Sequence, residues 1–97
     1  ILSNLHSEET QIYLVTGRDS KFKEQTLEWL HLHDIWYDRL IMRSAGDYRA
    51  DSIVKKEILD EQIDKEKVWF VLDDRKSVVD MWRENGLRCL QVQEGDF

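Results

Sequence analysis

Two adjacent carboxylates, Asp73 and Asp74, directly follow the apolar run Val68-Trp69-Phe70-Val71-Leu72. Neighbouring carboxylates repel, and neither is buried without a partner, a proton or a cation. At the carboxyl end of a buried strand they suit a hard divalent ion such as Mg2+, which takes oxygen ligands and keeps waters. The competing account has one of them capping the next helix and the other solvated. Thr16-Gly17-Arg18 closes a second apolar run, Gln11 to Thr16. A hydroxyl, a flexible backbone N–H and a guanidinium there could hold phosphate oxygens. Taken alone, a strand-to-helix turn with a surface arginine is the simpler account. Asp51 and Lys55 stand at i, i+4, the spacing of a helix-surface ion pair worth only about 0.3–0.5 kcal/mol. A chemical role needs Lys55 to point at a phosphate with Asp51 orienting it.

Other residues carry weaker signals. His31 and His33 are two apart on an expected helix and face different ways, which speaks against a metal site. His6 has no evident partner. Trp29, Trp36, Trp69 and Trp82 are most simply core aromatics, with base stacking by an exposed ring as the alternative. Cys89 lies in an expected strand as a small buried hydrophobe.

These residues need elements to place them, and the chain supplies an alternating order. Ile1, Leu2 and Leu5 suggest the end of a helix, and Gln11–Thr16 a buried strand. Lys21–His33 shows near-helical apolar spacing, Arg39–Met42 reads as a strand, and Arg49–Gln62 as a helix with Asp51 near its start, where the dipole favours an anion. Lys67–Leu72 is the strongest strand signal. Ser77–Asn85 is a helix with Val78, Val79 and Trp82 on one face, stopped by Gly86. Leu87–Val92 closes the order as a strand. With no proline, four glycines carry the punctuation. Strands recurring about every 20 to 30 residues between helices imply right-handed βαβ units, and continuous apolar strands imply a parallel sheet buried on both faces. Ligands of such sheets bind outside the carboxyl ends of the strands. That edge holds Thr16-Gly17-Arg18, Arg43, Asp73-Asp74-Arg75 and Gln93-Glu94.

Composition bounds the function. The 97 residues suffice for one domain, 41% of them hydrophobic. Charged residues reach 35%, and fourteen basic against twenty acidic residues leave a net charge of −6. That argues against a general nucleic-acid or anionic-membrane binder, which needs a broad positive field, but not against a local basic pocket. No apolar run is long enough to span a bilayer. A single cysteine excludes an internal disulfide and fits a reducing compartment, so a cytoplasmic location is expected.

In order, the pieces resemble the haloacid dehalogenase (HAD) superfamily of phosphatases. Val15-Thr16-Gly17-Arg18 resembles its motif II, Lys55 on a helix its motif III, and Val71-Leu72-Asp73-Asp74 its motif IV. The stretches TGRDS, GDYRADSIVKKEI, LDDRKSVVDMWRENGLRCLQV and EGDF are similar to the 3′-phosphatase domains of phage-type polynucleotide kinase/phosphatases, over essentially the whole chain. The resemblance implies a HAD-like Rossmannoid α/β fold, a three-layer sandwich about a parallel sheet, with residues 1–97 as the C-terminal part of the phosphatase domain. It implies that Thr16, Gly17 and Arg18 bind the substrate phosphate and that Lys55, positioned by Asp51, neutralises the phosphoryl group. Asp74 would take the Mg2+ position with Asp73 supporting it, Arg43 would add a basic contact to the nucleic acid, and Arg75 would be structural. Arg49 would join Arg18, Arg43 and Lys55 in a local positive field.

One departure is large. Family members carry D-x-D-x-T at the end of a central strand, its first Asp the nucleophile and its second the general acid/base. No D-x-D-x-T occurs in this chain. The expectation is that the missing strand lies upstream, between the motif II and motif IV strands in space. This segment alone would then be inactive, and unstable, partnered or part of a longer chain, because the flanking strands would leave backbone groups unpaired. The implied function is removal of 3′-terminal phosphate from nucleic-acid ends through an aspartyl-phosphate, with Mg2+ as cofactor, no membrane partner and an upstream kinase domain as a possible companion. The alternatives are a HAD phosphatase for free nucleotides or small phosphoesters, and a non-catalytic module that binds phosphorylated ends.

Overall fold

The computed structural model describes residues 10–93. The helix expected at Ile1 to Leu5, His6, and Glu94 with the rest of EGDF lie outside them. The described strands form two sheets of two, each parallel. The α/β class and the parallel pairing expected from the alternating order are therefore present. The chain divides into two compact units, one ending at Tyr48 and the other starting at Arg49.

In the first unit β1 (Tyr13–Asp19) leads through a 3-10 turn at Ser20–Phe22 into α1 (Lys23–Leu32), and β2 (Arg39–Arg43) returns beside β1. Register runs from Tyr13↔Arg39 to Thr16↔Met42 and then jumps to Asp19↔Arg43. Gly17 and Arg18 thus bulge out of the ladder, and the strand runs three residues beyond the expected Thr16. Bulges re-aim side chains at strand ends. Leu30 and Ile41 are buried. Thr26, also buried, donates its hydroxyl to the Phe22 carbonyl at 2.9 Å. Helix α1 is capped by His33, and the next residue, Asp34, has a φ of 52° in the left-handed region that Asp tolerates.

In the second unit α2 (Asp51–Gln62) precedes β3 (Val71–Asp73), α3 (Lys76–Glu84) and β4 (Cys89–Gln91). The strand expected over Lys67–Leu72 is shortened. Asp64 accepts the Glu66 N–H and starts a 3-10 turn at Lys65–Lys67, so regular pairing begins only at Val71. Helix α3 turns Val78, Val79, Met81 and Trp82 into a core with Leu59, Leu87 and Cys89, at the spacing of one helical stripe. Gly86, at φ +85°, ends that helix as the sequence leads one to expect. Two-faced burial does not hold for the β3–β4 pair. Val71 and Cys89 join the core, while their alternating neighbours Leu72 and Leu90, register partners, are exposed. Helix α3 covers one face only.

The expectation of four core tryptophans holds for one of them. Trp82 is core, but Trp29, Trp36 and Trp69 are each at least half exposed. Trp29 instead lies against the His33 ring, at 4.3 Å between centroids.

Candidate phosphate-handling site

The motif residues fall into two clusters, one in each unit. In the second unit, Asp51 opens α2 and Lys55 follows one turn later. Ile58 and Leu59 on the same stripe are buried, which draws Lys55 inward with them, to 8% exposure. Its Nζ sits 3.2 Å from Asp51 Oδ2 and 3.5 Å from Asp73 Oδ2, and all three side chains are about nine-tenths buried. The Asp51–Lys55 pair is thus no solvated helix decoration. A buried ammonium flanked by two carboxylates is a compensated charge in a low-dielectric setting, where single-partner loss is costly.

Asp73 ends β3 and is the hub of this cluster. Its Oδ1 accepts the backbone N–H of Asp74 at 2.8 Å and of Arg75 at 3.3 Å. Its Oδ2 accepts the indole N–H of Trp82 at 3.2 Å and faces Lys55. A carboxylate offers about four lone-pair sites, so Asp73 is fully engaged with protein groups. Asp74, next to it, is exposed. Its backbone carbonyl accepts Gln91 Nε2 at 3.0 Å, which ties the residue to the end of β4. Arg75 Nη1 lies 3.7 Å from Asp51 Oδ2. Arg49 pairs with Glu57 at 2.6 Å on the exposed surface, which offsets its contribution to any positive field.

In the first unit, the bulge after Thr16 builds a different arrangement. Thr16 Oγ1 accepts the Arg18 N–H at 3.1 Å, leaving the hydroxyl proton to be donated elsewhere. Arg43 Nε donates to the Gly17 carbonyl at 2.7 Å, and its Nη1 donates to the Asp47 carbonyl at 3.0 Å. Arg43, expected as a nucleic-acid contact, is held by backbone carbonyls and fastens the bulge. Asp19 accepts the Lys21 N–H at 2.9 Å and the Gly46 N–H at 3.2 Å. Those backbone bonds, that of Lys21 first, hold its pKa below the ordinary value. Gly46 can sit there at φ +79°, where a side chain would strain the backbone. Arg18 is exposed, and its guanidinium carbon lies 5.4 Å from the centre of the Phe22 ring, with Lys21 Nζ at 5.1 Å.

The 97 residues match, from first to last, the family model of the polynucleotide kinase PNKP phosphatase domain. The chain belongs to that family. It is also similar to solved chains in two structures of the Pnkp1/Rnl/Hen1 complex, one described as an RNA repair complex. Each is 44% identical with a TM-score of 0.92, over 99% of this chain. The chain spans about a third of the length of those proteins, 32% of one and 34% of the other. The family match carries the HAD-like α/β fold with it.

Two features of this PNKP-family domain were not apparent from residue types and spacing. Trp82 binds Asp73, a contact between residues nine apart; only the rule that a buried indole N–H seeks an acceptor could have flagged it. Phe22 carries two cations; the alternation Arg18, Lys21, Phe22, Lys23 was the available signal. Cys89, expected to be buried, is so, and burial first, then the charge of Asp73, pushes its thiol pKa up. Among the described residues no group of three His, Cys, Asp or Glu side chains is gathered as a metal cluster, and no helix is long and apolar enough to cross a membrane.

Proposed function

We propose that this domain acts in a phosphohydrolase that removes 3′-terminal phosphate from nucleic-acid ends, through transfer to an aspartate and hydrolysis. The observation that carries the reading is Lys55, buried between Asp51 and Asp73 at the head of an acidic strand end. An ammonium already positioned by the fold stabilises charge on a transferring phosphoryl group without reorganising at the moment of reaction. No D-x-D-x-T occurs in these 97 residues, so the reading assigns this chain the positioning and charge-stabilising part of the reaction. Thr16 donates its hydroxyl to a phosphate oxygen, the Gly17 bulge brings backbone close to it, and Arg18 offers a planar, forked donor. Lys55 neutralises charge as the phosphoryl group moves, and Asp51 and Asp73 hold it in place.

Mg2+ fits the residues present as a sparsely ligated ion. Asp74 presents an exposed oxygen donor, while Asp73 is engaged. Mg2+ typically binds through one or two carboxylates, substrate phosphate and waters, so a three-residue protein cluster is not needed. When bound, it would polarise phosphoryl oxygens and orient the leaving group.

The Phe22 platform favours a polynucleotide over a free nucleotide. Phe22 is 39% exposed with the Arg18 and Lys21 cations over its ring; a base that stacks there takes the place of a cation, which then follows the backbone. The test is Mg2+-dependent phosphate release by the full-length protein from a 3′-phosphorylated oligonucleotide, with a 3′-nucleotide and a 5′-phosphorylated oligonucleotide alongside. Release from the 3′-end, abolished by Lys55→Ala and Asp74→Ala, is expected. Release from the nucleotide alone would discard the polymer reading, and no release from any of the three would leave a phosphate-end-binding module.

A further inference from the structure

We infer that Trp82 is a positioning residue for the proposed phosphoryl-transfer cluster, setting the Asp73 carboxylate against Lys55. The inference rests on the function proposed above, but the geometry behind it is independent of substrate. Trp82 is 3% exposed in the core of the second unit, so its indole N–H needs a protein acceptor. The acceptor it finds is Asp73 Oδ2, at 3.2 Å, the same oxygen that lies 3.5 Å from Lys55 Nζ. Val68, Val71 and the Cys89 sulfur are also near in this core, and none of them offers so strong an acceptor.

The two oxygens of Asp73 are held by different parts of the fold. The N–H groups of Asp74 and Arg75 hold Oδ1 by the local backbone turn. Rotation about the last bond is intrinsically broad and carries both oxygens together, so the local turn restrains it only through Oδ1. Trp82 supplies a second restraint on the same torsion, from a helix rather than from the turn, and narrows it further. Oδ2 then faces Lys55, with Nζ at 3.5 Å. Groups that orient the residues of a polar site in this way commonly change activity by 10–100-fold when lost.

Trp82→Phe removes the donor but also core volume, and its stability loss would confuse the result. The decisive variant carries benzothienylalanine at position 82, which keeps the two-ring shape and replaces the N–H by sulfur. In the full-length protein this replacement is expected to lower kcat about tenfold with KM unchanged and only the small fall in urea midpoint that one lost buried hydrogen bond brings. A second readout needs no turnover. Acylation of lysines by a water-soluble active ester, followed by mass spectrometry, should show Lys55 reacting several-fold faster in the replaced protein and the exposed lysines unchanged. An unaltered Lys55 acylation rate overturns the inference, even in a protein that releases no phosphate. Wild-type kcat in the replaced protein overturns it too. Absence of phosphate release by the unaltered protein would instead sink the proposed function, leaving the acylation result to decide the role of Trp82.

Discussion

Lys55 and Arg18 are the two cations that, in the proposed reaction, offset charge on the phosphoryl group, and the protein holds them in opposite ways. Lys55 is sunk into a helix face whose neighbours are core residues, and two buried carboxylates compensate it. Arg18 stands exposed on a strand bulge, placed by backbone hydrogen bonds at Thr16, Gly17 and Asp19. The first arrangement makes charge part of the fold. The second separates charge from the fold, so the side chain can adapt to a ligand. The resemblance gave both cations to the phosphate, yet only Lys55 is tied to a core.

The widest test of this contrast replaces each cation. Lys55→Met leaves Asp51 and Asp73 buried without their shared counter-charge, and is expected to cost about 3 kcal/mol of stability. Phosphate release should fall by about 10²–10³. Arg18→Ala should also reduce phosphate release, while stability stays within about 0.5 kcal/mol, because an exposed side chain is removed. Urea denaturation beside the phosphate assay reads both. Equal stability losses for the two variants would break the comparison.

The neighbouring carboxylates sharpen it within one strand end. Asp73→Asn keeps an acceptor for the backbone but faces an amide toward the Trp82 N–H or Lys55, so a loss of about 1–3 kcal/mol is expected along with activity. Asp74→Asn alters an exposed group whose side chain makes none of these bonds. Activity should fall at low Mg2+ and partly recover as Mg2+ rises, with the urea midpoint unmoved. A midpoint that drops as far as in Asp73→Asn would place Asp74 in the fold as well.

Phe22 tests the adaptable side of the comparison. Phe22→Ala should raise KM for the 3′-phosphorylated oligonucleotide about tenfold, within the range of one lost base stack. KM for a 3′-nucleotide should not change. A rise in both would make Phe22 a support for the Arg18 bulge rather than a stacking platform.

The same contrast explains what could be read in the sequence. Elements came through where one signal was strong: the stripe Val78, Val79, Trp82 with Gly86 after it gave α3, and Asp51 at a helix start gave α2. The apolar run to Leu72 overstated its strand, because hydropathy does not register the 3-10 turn that Asp64 starts. Asp51-x-x-x-Lys55 has the spacing of any surface pair; its burial follows from Ile58 and Leu59 continuing the stripe, a tertiary fact that the spacing does not contain. Arg43 looked like a ligand contact because it ends a strand, and only the bulge at Gly17 shows why its guanidinium turns to backbone carbonyls. Local patterns announce which residues are charged; packing decides which charges belong to the fold.

The smallest expected effect isolates a backbone-held charge from the core. Asp19 accepts the N–H groups of Lys21 and Gly46, and its pKa lies below the ordinary value of 3.8. A carboxyl group whose folded pKa is depressed adds stability above its unfolded pKa, and that contribution fades as pH falls through the folded value. The window is therefore acidic, below about pH 5. Monitored by NMR, the amide signals of Lys21 and Gly46 should titrate together with a midpoint below 3.8. Asp19→Asn, which still offers an acceptor but cannot titrate, should abolish that movement while leaving the Lys21 amide protected. The difference in urea midpoint between wild type and Asp19→Asn should shrink as pH drops through the same window. A difference that stays constant with pH would mean that the charge of Asp19 does nothing for the bulge, and that its geometry alone holds the Gly17 turn in place.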